Sequence, residues 1–291
     1  MSAQIIDGKS IAESHKADTA RGIARLHELG HHVRLTAIIV GATPAAELYA
    51  QRQAEGCRAI GIDYDLLALP DDIGNRDLRH EIRRLNADKN VTGIMLHLPM
   101  PSHIDTARIQ YEIDVVKDVE GVSPANIGYV LYRHVVIAPC TALAAVELVK
   151  HSGVPMEGAE CVVVGASHIV GKPIALLMVE QMATVTLCHI ATRDLKLHTK
   201  RADILIVAAG KAGLITADHV RPGACVIDVG INRVTTPDGA HKTVGDVDFA
   251  SVKNVAGHLS PVPGGVGPMT VAMLLRNTLR SAEILAGVVK G

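Results

Sequence analysis

An apolar run, Val162-Val163-Val164, ends at Gly165 and leads through Ala166-Ser167-His168-Ile169-Val170 to Gly171-Lys172-Pro173 and a second apolar stretch. A strand that turns on glycine into a helix is suited to holding a phosphate. Glycine lets the backbone approach an anion closely, and a helix N-terminus offers N–H groups and the positive end of a dipole. The two glycines stand six apart, so the spacing is not G-x-G-x-x-G, and a turn built only for tight packing is the competing reading. Two further apolar runs end alike, one before Ala209-Gly210 and one at Asp228-Val229-Gly230. Ligands collect at the carboxyl ends of parallel strands, so three such ends together favour a dinucleotide.

The elements that must carry these ends follow from the hydrophobic pattern. Short β-branched runs alternate with longer helix-like stretches, which predicts an α/β fold with a parallel sheet covered on both faces. Strands are expected at Arg34 to Val40, Tyr64 to Leu69 and Val91 to Leu98, with helices near Pro44 to Ile60 and Arg76 to Asn86. After Pro155-Met156-Glu157-Gly158 the pattern restarts with strands at Cys161 to Val164, Thr184 to Leu187, Ile204 to Val207 and Cys225 to Asp228. A last helix is expected from Met269 to about Val289, returning to the first half. Two domains with a cleft between them result: a discontinuous catalytic domain of residues 1–140 and 270–291, and a Rossmann-like dinucleotide-binding domain of residues 141–269.

Composition narrows the partners. Hydrophobic residues make up 48% and charged residues 20% of the 291 residues, with one Phe, five Tyr and no Trp, so the core is aliphatic and base stacking on aromatics is disfavoured. A net charge of -1 provides no basic field for nucleic acid or an anionic membrane. The five cysteines contain no C-x-x-C pair, so neither a zinc site nor a disulfide framework is suggested, and a cytoplasmic location is expected. The N-terminal residues show no export signal, and no apolar run is long enough to span a membrane.

Four motifs in order, Val164-Gly165-Ala166-Ser167-His168-Ile169-Val170-Gly171-Lys172-Pro173, Val226-Ile227-Asp228-Val229-Gly230-Ile231-Asn232, Gly245-Asp246-Val247-Asp248 and Pro261-Val262-Pro263-Gly264-Gly265-Val266-Gly267-Pro268-Met269-Thr270, closely resemble the bifunctional methylenetetrahydrofolate dehydrogenase/methenyltetrahydrofolate cyclohydrolase family. The resemblance runs from Ile6-Asp7-Gly8-Lys9 to the final helix. It implies an NAD(P)-dependent oxidoreductase acting on tetrahydrofolate derivatives as a homodimer, with no metal. The coenzyme is expected on Gly165, Ala166, Ser167, Ile169, Val170, Gly171, His189, Ala209, Gly210 and Ile231. The folate is expected against Tyr49, Leu98, Pro99, Glu120, Pro263, Gly264 and Gly265.

The catalytic group implied by the resemblance is Tyr49, Gln53, His97 and Glu120, and three of these depart from the family pattern. Tyr49 matches the family tyrosine thought to stack on the folate. Gln53 stands where the family has lysine, His97 where it has glutamine, and Glu120 where it has aspartate. Arg52 is not a substitute for the lysine, because one residue along a helix turns the side chain by roughly 100°.

Hydride transfer from the methylene carbon needs positioning more than a protein base, and it survives the loss of a lysine. Opening the methenyl cation with water requires proton movement, which a glutamine amide cannot supply. Weak or absent cyclohydrolase is therefore expected. The alternatives are that His97 takes the lysine's role, or that the chain is a non-catalytic binding paralogue. For the coenzyme, family habit favours NADP. The absence of arginine at Ala166 and Ile190 favours NAD, although Ser167, Lys172 and Arg193 are nearby.

Overall fold

β1 (Gln4–Ile5) and α1 (Gly8–Glu28) open the chain. Then β2 (Arg34–Val40), α2 (Pro44–Arg58), β3 (Asp63–Leu69), α3 (Asn75–Ala87) and β4 (Gly93–Leu96) alternate, followed by the short α4 (Thr106–Gln110) and by α5 (Pro124–Leu131). The computed structural model describes residues 2–132, 136–235 and 239–289. Its internal contacts divide it into two units, Ser14–Ala138 with Leu274–Gly291, and Met1–Glu13 with Pro139–Met273.

In the first of these units the strands pair in parallel in the order β3-β2-β4. β2 is central and almost wholly buried, as its run Leu35-Thr36-Ala37-Ile38-Ile39-Val40 requires of a strand covered on both faces. β4 is shorter than the expected Val91 to Leu98, because the chain leaves the ladder after His97 N donates to Ile38 O at 2.8 Å. On α3, Leu78, Ile82 and Leu85 fall on one stripe and pack with Ile38, Val40, Ile94 and Leu96.

The C-terminus of α3 receives an uncommon cap. The ammonium of Lys117, itself buried, donates to Leu85 O, Asn86 O and Asp88 O at 3.1, 2.8 and 2.7 Å. A cation at the negative end of the helix dipole satisfies carbonyls that the helix leaves unpaired. Lys117→Met is expected to lower stability by about 2 kcal/mol through those unsatisfied acceptors, seen as a fall in Tm; an unchanged Tm would mean that water caps the helix equally well.

The second unit contains α6 (Cys140–Ser152), β5 (Glu160–Val164), α7 (Gly171–Glu180), β6 (Thr184–Cys188), α8 (Leu195–Thr199), β7 (Ile204–Val207) and β8 (Cys225–Asp228). These are followed by the hairpin β9 (Asn232–Thr235) and β10 (His241–Val244), then α9 (Phe249–Val252), β11 (His258–Leu259) and the start of α10 (Val266–Leu285). Its sheet runs β1-β11-β8-β7-β5-β6. β7 and β8 are buried at every residue, which is why β7 reads as an unbroken apolar run and β8 as one that ends in the single acid Asp228.

β1 pairs in parallel with β11, so the first thirteen residues lie with this unit, whereas the sequence pattern groups them with residues 14–140. α10 begins three residues before the expected Met269 and ends at Leu285 rather than Val289. From Leu274 onward α10 lies with the first unit: Asn277 Nδ2 donates to Val119 O and Ala138 O, each at 2.9 Å, and Ser281 Oγ to Thr92 O at 2.7 Å. No helix among the described residues is long and apolar enough to cross a membrane.

Candidate active site

Thr43 starts α2 by accepting a hydrogen bond from Ala46 N at 3.3 Å, with Pro44 in the first turn where its missing N–H costs nothing. α2 then carries Tyr49 and Gln53 one helical turn apart. The side chain of Tyr49 lies outside the described set. Gln53 is half-buried while Arg52 is exposed, as the step around a helix requires.

Gln53 and His97 are 44 positions apart and belong to one polar thread. Gln53 Nε2 donates to Met95 Sδ at 3.0 Å, the Tyr64 hydroxyl donates to Gln53 Oε1 at 3.0 Å, and Tyr64 Oη lies 3.2 Å from His97 Nε2. Glu120 joins from the other side, its Oε2 accepting from Leu96 N at 3.2 Å beside His97. Buried Asp118 shapes the turn that presents Glu120, accepting from Gly121 N, Ser123 N and Asn126 Nδ2. Leu98 and Pro99 follow His97 and are exposed.

Burial sets the protonation states here. Desolvation lowers the His97 imidazole below its ordinary value, which keeps it neutral at pH 7. Burial pushes the Glu120 carboxyl up to about 7, with the neighbouring Asp118 charge adding to the rise and the Leu96 N–H opposing it. The expected catalytic residues Gln53, His97 and Glu120 are thus brought together.

The coenzyme residues form a row on the second unit. In the sheet order β8-β7-β5-β6, the carboxyl ends present Ile231, Ala209-Gly210, Ser167 and His189, all exposed. The turn glycines are needed for packing. Gly165 has φ +112°, and a Cβ there would meet Ala208 O at 2.0 Å; a Cβ on Gly171 would meet Gly165 O at 1.8 Å. These close approaches draw β5, α7 and the loop after β7 together.

One expectation needs correction. The first N–H groups of α7 are occupied within the turn: Gly171 N donates to Ser167 Oγ at 3.3 Å and Lys172 N to Ser167 O at 3.0 Å, and Pro173 has none. α7 therefore offers an anion its dipole rather than those amides. An open row of strand ends with an exposed apolar Ile231 fits an elongated dinucleotide, and exposed Arg193 beyond β6 supplies a cation suited to a 2′-phosphate.

Gln53 and His97 belong to the first unit, and Pro263, Gly264 and Gly265 to this second one. They line a cavity of about 160 Å³ with Asp228, Gly230 and Ile231, so expected folate and coenzyme residues share one wall. Gly264 has φ +108°, a conformation that only glycine adopts without strain.

Three functional groups escape sequence reasoning. Tyr64 is the inward residue of the polar edge strand Asp63-Tyr64-Asp65, and an aromatic buried between two acids was the available signal. Asp228 and Asp246 are acids within otherwise apolar motifs. Asp228 accepts from Gly230 N, Asp246 N and Val247 N at 2.9 to 3.0 Å. Burial pushes its carboxyl up to about 6, against those three donors. Asp246, fully buried, accepts from Ala209 N, Gly210 N and Asn232 Nδ2 at 2.6, 2.8 and 2.8 Å. Together the two acids pin the loops after β7 and β8.

Comparison with known proteins matches two parts of the chain to one family. Residues 6–120 match the family model described as tetrahydrofolate dehydrogenase/cyclohydrolase, catalytic domain, and residues 139–286 match its NAD(P)-binding domain. The chain is 45% identical over 288 residues to the bifunctional protein FolD of Cupriavidus metallidurans, covering 99% of this chain and 100% of that protein. The FolD structure from Campylobacter jejuni is 40% identical, with a TM-score of 0.90 over 97% of this chain and 99% of that one. The Trypanosoma brucei FolD complexed with NADP cofactor and inhibitor is 34% identical, with a TM-score of 0.91 and full coverage of both chains.

Proposed function

The chain belongs to the tetrahydrofolate dehydrogenase/cyclohydrolase family, and from that premise we propose that it oxidises 5,10-methylenetetrahydrofolate with NADP and opens the methenyl product with water. The observation that carries the first step is the open carboxyl edge of the second unit, where the glycine turn, Ala209-Gly210 and Ile231 stand in a row. NADP supplies the hydride acceptor when bound. The chain's part in that step is orientation, which is sufficient where the folate nitrogen expels the hydride.

The expectation of weak or absent hydrolysis does not find support in relatives such as the Cupriavidus metallidurans protein, which is named bifunctional and matches over its whole length. His97 supports the bifunctional reading. Its neutral imidazole is the titratable base on the Gln53 thread, and it can take a proton from attacking water as Gln53 cannot. A dehydrogenase without hydrolysis is the second reading, favoured by Gln53, whose amide is held between Met95 and Tyr64 and does not titrate.

A paired assay separates the readings. NADPH formation from methylenetetrahydrofolate and loss of methenyltetrahydrofolate are measured independently, and both are expected above background. No reduction with NADP or NAD would overturn the assignment, and hydrolysis at the uncatalysed rate would leave the dehydrogenase alone. A homodimer in a reducing cytoplasm accompanies this reading; the five cysteines, all buried and none in a disulfide, support the compartment.

A further inference from the structure

The amino end of the first unit's sheet, opposite the end that leads to His97, opens on a cavity of about 520 Å³. That size lies within the roughly 300–1,000 Å³ of small-molecule sites. Its polar wall is built from strand starts and loops. His31 and His32 stand between α1 and β2, Arg34 and Asp63 open β2 and β3, and Lys89 and Asn90 precede β4. The facing wall is apolar, formed by Ala282, Leu285 and Ala286 at the end of α10. Thr92, itself buried, ties these walls together. Its Oγ1 accepts from Arg34 N at 3.0 Å, its N–H donates to Arg34 O at 2.9 Å, and its carbonyl accepts from Ser281 Oγ at 2.7 Å.

Helix dipoles alone draw cations to C-terminal ends, and α1 and α3 both end beside the cavity. Their last carbonyls are already served. Leu85 O and Asn86 O accept from Lys117, while Leu26 O accepts from His31 N and His27 O from Gly30 N. The Lys89 ammonium and the two imidazoles are therefore not spent on capping. Arg34 is partly offset by Asp65, 3.5 Å away, and Asp63 is the acid among the lining residues. We propose that this cavity binds a small organic phosphate, with Lys89, His31 and His32 donating to its oxygens and its apolar body lying against Leu285. Donors from two separate loops suit the several oxygens of a phosphate. The site stands outside the one-carbon reading and does not depend on it.

The test titrates the full chain, its histidines labelled with ¹⁵N, with phenyl phosphate, and assigns the His31 and His32 rings by their loss in His31→Gln and His32→Gln. Both signals are expected to move and to saturate. Inorganic phosphate, which lacks the apolar body, is expected to bind about tenfold more weakly, and uncharged benzyl alcohol to leave both rings unmoved. Lys89 and Leu285 are exposed, so their substitution spares the fold. Lys89→Gln is expected to weaken phenyl phosphate about tenfold, and Leu285→Asn to erase its advantage over inorganic phosphate. No saturation below about 10 mM, equal binding of inorganic phosphate or benzyl alcohol, or affinity unchanged in both variants would overturn the proposal. So would shifts confined to histidines outside the cavity, such as His189 at the coenzyme edge.

Discussion

His97→Ala is expected to slow methenyl hydrolysis by about a hundredfold or more, the usual contribution of a positioned acid–base group, while hydride transfer to NADP falls much less. The asymmetry follows from the two reactions. Hydride loss is driven by a folate nitrogen, whereas hydrolysis must move protons between water and ring nitrogen. Equal losses in both activities would show His97 to be packing or folate-orienting only.

The pH dependence gives a second check on the same residue. Burial lowers His97, so the neutral base persists to below its ordinary 6.5, and the acid limb of kcat for hydrolysis should lie below pH 6.5 and be absent in His97→Ala. Stability follows the same sign. The unfolded chain binds the His97 proton more readily, so this contribution is present above the unfolded value and is lost as pH falls through the folded one. Glu120 acts separately. Its carboxyl, pushed up to about 7, becomes a carboxylate only as pH rises through that value, so KM for the folate should fall there, since a carboxylate better accepts the N–H groups of the pterin. A folate KM flat across pH 6 to 8 would remove Glu120 from that role.

Asp246→Ala is expected to cost about 3–5 kcal/mol, because removing one buried carboxylate strands several donors. Those donors are Ala209 N, Gly210 N and Asn232 Nδ2, all held by a fully buried side chain. The loop after β7 loses its anchor, so coenzyme KM should rise together with the fall in Tm. Asp246→Asn separates charge from shape. Its remaining oxygen can serve the two backbone donors, but its amide then faces Asn232 Nδ2 donor to donor, so an intermediate loss is expected. Parental Tm and coenzyme KM in Asp246→Ala would show that the loop holds itself.

Much of the architecture was legible because buried parallel strands cannot hide their composition. β7 is a continuous aliphatic run, β2, β5 and β8 are dominated by buried apolar residues, and the periodic stripe Leu78, Ile82 and Leu85 marks α3. The pattern was silent where an element owes its existence to a distant partner. β1 is two residues long and forms only because β11, more than 250 positions away, offers an edge. The polar hairpin β9–β10 has no buried face to signal it.

Residue type and spacing alone carry the family, the two α/β units, the glycine turn and the expectation that Gln53, His97 and Glu120 depart from the family pattern. How Gln53, His97 and Glu120 relate emerges only once the chain is folded. The folded chain sets Tyr64 between Gln53 and His97, puts Gln53 against Met95 and Glu120 beside the end of β4, and occupies the first α7 amides with Ser167. The physical reason is that hydrogen-bond direction and desolvation depend on which groups meet in space. A side chain 11 or 33 positions away leaves no periodic trace in the chain that carries it.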